Sequence, residues 1–177
     1  MSLEKIKKLE DLKSEAKKIL DERGRILKSQ RPSAVINFLK EMAQYLEQNS
    51  FVINHFKGQE RGFNASYGET FLVITASGDD EQFWGADYQV NISGNRKEAV
   101  VSIVLNTGDY VHPPLDSNID KVIHDYETRY LPALKALDNS NLNGSYQLTF
   151  NSPGQKTPLN IKNGKEAVDT FFNLFAN

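Results

Sequence analysis

Residues 69–106 constrain the fold of this chain more than any other stretch. They read ETFLVITASGDDEQFWGADYQVNISGNRKEAVVSIVLN, three β-type runs separated by two turn-rich breaks. Residues 70–76 are rich in β-branched and aromatic side chains, as a strand should be. Ala86, Tyr88, Val90 and Ile92 then alternate with Asp87, Gln89, Asn91 and Ser93, and a period of two marks a strand with one wet face. Ser93-Gly94-Asn95-Arg96 supplies hairpin turn chemistry. Residues 99–105 return as a nearly continuous apolar run, which predicts a central strand covered on both faces. The simplest arrangement is an antiparallel meander.

The flanks add to it. Tyr146, Leu148 and Phe150 alternate with Gln147 and Thr149, giving a fourth strand, and Leu159-Asn160-Ile161 suits a short fifth. Phe51, Val52, Ile53 and Phe56 suit an edge segment, and residues 63–67 a short strand inside a glycine-rich loop. The fold class that follows is α+β, an antiparallel β-sheet of 3–5 strands covered by helices.

An N-terminal helical hairpin extends this domain. Residues 3–28 are dominated by good helix formers, above all Lys, Leu and Glu, with Ala16 among them. Leu9, Leu12, Ala16, Ile19, Arg23 and Ile26 recur at spacings of three and four, a coiled-coil seam broken by Arg23 and Gly24. Gln30-Arg31-Pro32 ends this helix, because proline biases its predecessor away from helical geometry. Ser33 caps a second helix to about Gln48, with Val35, Phe38, Leu39, Met42, Tyr45 and Leu46 on one stripe. The seam serves either as a stripe docked on that second helix or as a surface shared with another subunit. An antiparallel hairpin is the favoured arrangement, one that dimerisation could complete. Further on, Ile119, Val122, Ile123, Tyr126 and Tyr130 mark a third helix with a kink or restart at Pro132. A last helix, begun by Asn163 with Glu166 three residues later, carries Val168, Phe171, Phe172 and Phe175. The domains are therefore a basic helical extension, 1–31, and a single α+β domain, 32–177.

Charge and composition narrow the function classes. Residues 1–31 hold ten Lys/Arg against six Asp/Glu, and the remainder eleven against seventeen. The first stretch mixes both signs, which suits a solvated helix better than a phosphate-contacting arm, so nucleic acid is not the expected partner. With no cysteine, disulfides, thiolate metal sites and cysteine nucleophiles are excluded. No apolar run approaches the ~20 residues that span a bilayer. The charged N-terminus lacks the apolar core of a signal peptide, so a cytoplasmic protein without membrane contact is expected.

No Walker or Rossmann phosphate loop, nucleophile elbow or H-E-x-x-H helix is present. The best catalytic candidates are Asp109, His112 and Asp116, which follow a strand end and could hold a divalent metal. Their local alternatives are a turn residue, a pre-proline surface residue and a helix cap. The best binding candidates are Phe83, Trp84, Asp87 and Tyr88 in the turn of residues 79–88, where aromatic anchors follow three acids. The expectation is a non-catalytic binding or regulatory protein, without cofactor, acting through a protein partner or self-association of residues 1–31. A divalent-metal enzyme built on Asp109, His112 and Asp116 is the alternative. The order of helix, three strands, helix, strand and helix is similar to that of small secretion chaperones, making a chaperone-like partner binder a third reading.

Overall fold

The computed structural model describes residues 2–56, 61–78, 81, 83 and 85–174. Seven strands form one antiparallel sheet in chain order: β1 (Val52–His55), β2 (Gly62–Tyr67), β3 (Thr70–Ala76), β4 (Tyr88–Gly94), β5 (Lys97–Leu105), β6 (Tyr146–Asn151) and β7 (Leu159–Ile161). The antiparallel α+β reading stands, with seven strands rather than three to five. The difference lies largely in β1 and β2, whose short and small-residue sequences give weak local signals. β2 is held in register by β3, with Phe63 opposite Ile74 and Ala65 opposite Leu72. Pairing and packing decide strand formation here over intrinsic preference.

The chain before the sheet is one helix, α1 (Leu3–Gln48), and not a hairpin. Pro32 lies inside it and removes one backbone donor, a cost of roughly 3 kcal/mol in a helix interior. The stripe beyond it outweighs that loss. Val35, Phe38, Met42 and Leu46 are essentially inaccessible to water, and each such burial is worth about 1.5–3 kcal/mol. After β5 come α2 (Ile119–Asp125), a π-helical turn (Tyr126–Tyr130) and α3 (Leu131–Ala136), and after β7 comes α4 (Gly164–Asn173).

The chain divides into two compact units, Met1–Ser29 with Thr107–Asn143, and Gln30–Asn106 with Gly144–Asn177. We call these unit 1 and unit 2. The core of unit 2 joins the later α1 stripe, one face of the sheet and α4. Phe38 and Met42 cluster with Phe63, Ile74, Val90, Val101 and Phe150, and with Val168 and Phe171. In β5, Ala99, Val101, Ile103 and Leu105 are buried, whereas Val100, Ser102 and Val104 are only partly so. Its apolar run is thus covered on one face rather than two, since the helices of unit 2 contribute to a core on that side alone.

Polar ties complete the unit. The Asp87 carboxylate accepts from the Leu105 amide at 2.8 Å and pairs with Arg31 at 2.7 Å. Asn163 caps α4 by accepting from the Glu166 amide at 2.9 Å. The Glu41 carboxylate of α1 accepts from the Gly164 amide at 2.9 Å, as suits an anion at a helix start. No helix among the described residues is long and apolar enough to cross a membrane.

Gly164 is a close-approach glycine. A Cβ there would lie 2.7 Å from the Met42 nitrogen and 2.8 Å from the Glu41 Cβ. Alanine is the better helix former, yet Gly164→Ala is expected to destabilise the protein by about 1–3 kcal/mol through overpacking. Urea unfolding followed by far-UV circular dichroism checks this, and a raised midpoint would contradict the packing argument.

Candidate functional site

Unit 1 is built on the seam of α1. Ala16 is buried with Tyr126, Tyr130, Leu131 and Leu134, and Leu9, Leu12 and Ile19 pack against the same cluster. Much of the seam is therefore filled within one chain, by residues 111–137. Ion pairs of both senses join α1 to the segment packed on it: Lys5 pairs with Asp120 at 2.7 Å and Lys8 with Glu127 at 2.7 Å, while Lys135 of α3 pairs with Glu15 of α1 at 2.6 Å. These pairs are largely exposed and individually weak, so they serve register more than stability.

Arg23, which interrupts the heptad rhythm in the sequence, is a buried tie. Only 7% exposed, it donates from Nη1 to the Asn139 side chain at 2.7 Å and from Nη2 to the Thr107 carbonyl at 3.0 Å. It thereby joins the two ends of the segment that packs on α1. Nothing in the spacing signalled this role beyond the presence of a charge at an apolar position.

Pro132 produces a π turn. It sits in the first turn of α3, and the Leu131 amide donates to the Tyr126 carbonyl five residues back. The widened turn accommodates a proline inside an otherwise helical segment, and π turns recur at functional sites. Tyr126 and Tyr130 meet edge-on, their centroids 5.2 Å apart, and burial pushes the Tyr130 phenol up from its usual range.

Beside this turn lies an open groove of about 560 Å³, whose lining includes Leu9, Pro114, Leu115, Ile119, Val122 and Tyr126. Leu115 is 92% exposed at its margin. Charges nearby are internally paired, Lys13 with Glu10 at 2.8 Å and Lys121 with Asp116 at 4.0 Å. Lys13, Asp116 and Ser117 also line the groove, so its wall is mixed, more apolar than polar, and its charges are paired rather than of one sign.

The catalytic candidates lie in the same segment, with local structural partners. Asp116 accepts from the Asn118 amide at 2.8 Å, and Asn118 in turn caps α2. The His112 ring packs edge-on against Tyr110, centroids 4.8 Å apart. Its carbonyl accepts from Arg129, which is held by Asp125 through two bonds of 2.7 Å. Asp109 is exposed. Among the described residues no group of three His, Asp or Glu is placed to hold a metal ion.

The binding candidates belong to unit 2. Asp87 is engaged by Arg31 and the Leu105 amide, and Tyr88 is 1% exposed with the Arg61 guanidinium 5.4 Å from its ring centroid. Phe83 bridges to Ala86 and is partly exposed. Trp84 lies outside the described residues, as do Asp79 and Asp80. The large groove was invisible in the sequence because Leu9 and Leu115 are far apart along the chain and neither belongs to a motif. No family model, curated protein or solved structure matches this chain.

Two measurements test the unit. Arg23→Met keeps the aliphatic volume but strips both hydrogen bonds, and is expected to cost about 2 kcal/mol in denaturant unfolding. An unchanged midpoint would deny Arg23 its role as a tie. The Arg129 hydrogen bond holds the Asp125 carboxyl below its ordinary value of 3.8. Its contribution to stability is therefore full above that value and fades as pH falls through the lower folded value. The melting-temperature gap between the native chain and Arg129→Gln should narrow on acidification, and a gap that widens would reverse the assignment.

Proposed function

We propose that this chain is a non-catalytic binding protein that works through protein–protein contacts made by unit 1, first of all self-association through its N-terminal helix and the adjoining groove. The observation that carries this reading is Leu115, 92% exposed, standing at the margin of a groove whose lining includes Leu9, Ile119 and Val122 beside Lys13 and Asp116. A protruding leucine beside a receptive groove is the arrangement an isologous dimer uses, since each copy offers both the knob and the hole. The exposed N-terminal residues Leu3 and Ile6, 67% and 37% accessible, extend the apolar surface along α1. Paired charges around the groove leave apolar burial as the source of affinity, and they suit a partner with no net charge on its contact face.

The turn of residues 79–88 takes second place as a contact surface. Asp87 is engaged by Arg31 and the Leu105 amide, and Tyr88 is buried.

Sedimentation velocity across micromolar to sub-millimolar concentration tests the proposal. The native chain is expected to form a reversible dimer, and Leu115→Asp to remain monomeric with an unchanged melting temperature, since so exposed a side chain contributes little to folding. A native chain that stays monomeric throughout, or a dimer indifferent to Leu115→Asp, would end this reading.

A further inference from the structure

The outward face of the seven-stranded sheet is nearly without charge, although a quarter of the chain is Asp, Glu, Lys or Arg. The strand register identifies the residues. β4 presents Gln89, Asn91 and Ser93, and β5 presents Ser102 opposite Gln89 and Val100 opposite Asn91. The rows continue onto β6 and β7, where Thr149 and Asn160 follow Ser102, and Asn151 follows Val100. Toward the other edge, Thr75 lies opposite Asn91 and Val73 opposite Ser93. Asn64 lies opposite Val73, and Asn54 opposite Asn64. Within the seven strands, Glu98 is the one ionisable residue on this face. Solvated sheet surfaces ordinarily carry Lys, Glu and Arg, which keep them soluble and discourage pairing. A surface made of carboxamides, hydroxyls and valines instead suits a neutral contact.

Two further observations point to a ligand. Among the described residues the buried Asn64 Oδ1 atom accepts no hydrogen bond, and buried acceptors ordinarily find a donor. Aromatic surface also accompanies the amides. The Phe56 ring occupies the space over Gly62, where a Cβ would come within 2.7 Å of it, and Gly62 pairs with the outward Thr75. Phe71, 47% exposed, lies on the same face opposite Ser66.

A carboxamide sets a donor and an acceptor side by side, and a hydroxyl both donates and accepts. Vicinal sugar hydroxyls offer the complementary pattern, while a pyranose presents C–H groups that lie against an aromatic ring. In the outward rows an anionic polymer would meet no cation, since the exposed Lys97 at the start of β5 belongs to the opposite row, and a cationic one would meet only Glu98. A peptide would be drawn to the open sheet edges, where backbone groups are available, rather than to the side-chain face. We propose that the outward sheet face of unit 2 binds a neutral glycan chain, in a site independent of the unit 1 groove.

The test is native gel electrophoresis of the full chain through dextran, mannan, laminarin or xyloglucan, with calorimetry on whichever polymer retards it. Retardation by at least one is expected. The substitutions Asn91→Lys and Gln89→Ala/Thr149→Ala should each weaken binding about tenfold, the effect of losing one or two hydrogen bonds. Both act on side chains that point away from the core, and unchanged melting temperatures verify the fold. Leu115→Asp should leave retardation unaltered, which separates this site from the groove. Free migration through all four polymers would overturn the proposal, as would binding insensitive to both variants. A dimer that Asn91→Lys dissolves in the absence of polysaccharide would also overturn it, making the face a contact between copies.

Discussion

The interaction on which unit 2 depends is the burial of one sheet face beneath the later stripe of α1. Phe38 and Met42 on the helix, and Ile74, Val90, Val101 and Phe150 on the strands, are almost wholly removed from water. Strand side chains alternate with a period of two, so this burial also fixes which residues face outward. A slip of one position in β4 would bury Gln89 and Asn91 and expose Val90 and Ile92. The hydrophobic face thereby specifies the polar one. It also explains how proline persists inside a 46-residue helix, since the stripe that follows Pro32 supplies far more free energy than one missing hydrogen bond removes.

Unit 1 rests on different physics. Its buried cluster centres on Ala16, two tyrosines, Leu131 and Leu134, which is a thin core for a compact unit. Directional contacts do more of the work: the Arg23 tie to Thr107 and Asn139, the Asn118 cap, and the Arg129–Asp125 pair that also reaches the His112 carbonyl. Segments held this way tend to open at lower free energy than a dense core, because exposed hydrogen bonds compete with water. Binding surfaces are drawn from such regions for that reason.

Much of the architecture was legible in the sequence. The alternation at 86–93 and the apolar run at 99–105 mark β4 and β5, and Asn163 with Glu166 marks the start of α4. Four features were not. Pro32 carries a strong local signal against helix, and only tertiary burial overrides it. The apolar run in β5 reads as a strand buried on both faces, yet valine is also common where a half-covered sheet meets water, so the run alone does not separate the two cases. Arg23 reads as a flaw in a seam, because a buried guanidinium is recognised by its acceptors, and Thr107 and Asn139 are remote in sequence. The same remoteness hid the groove, which brings together residues 9, 115 and 122.

The placement of charge distinguishes the two surfaces more sharply than their shapes do. Around the groove the ionisable side chains are plentiful and mutually satisfied, as in Lys13 with Glu10 and Lys5 with Asp120. A partner docking there would gain little from charge of its own and must be selected by apolar fit. The sheet face approaches neutrality by carrying almost no charge, Glu98 apart, with amides such as Asn91, Gln147 and Asn160 open to solvent in its place. Amide side chains are expensive to desolvate unless each donor and acceptor is matched. An apolar partner, or a protein surface of imperfect complementarity, would therefore bind such a face poorly. A ligand dense in hydroxyl groups recovers the hydrogen bonds that water gives up, which is why the two surfaces call for chemically different partners.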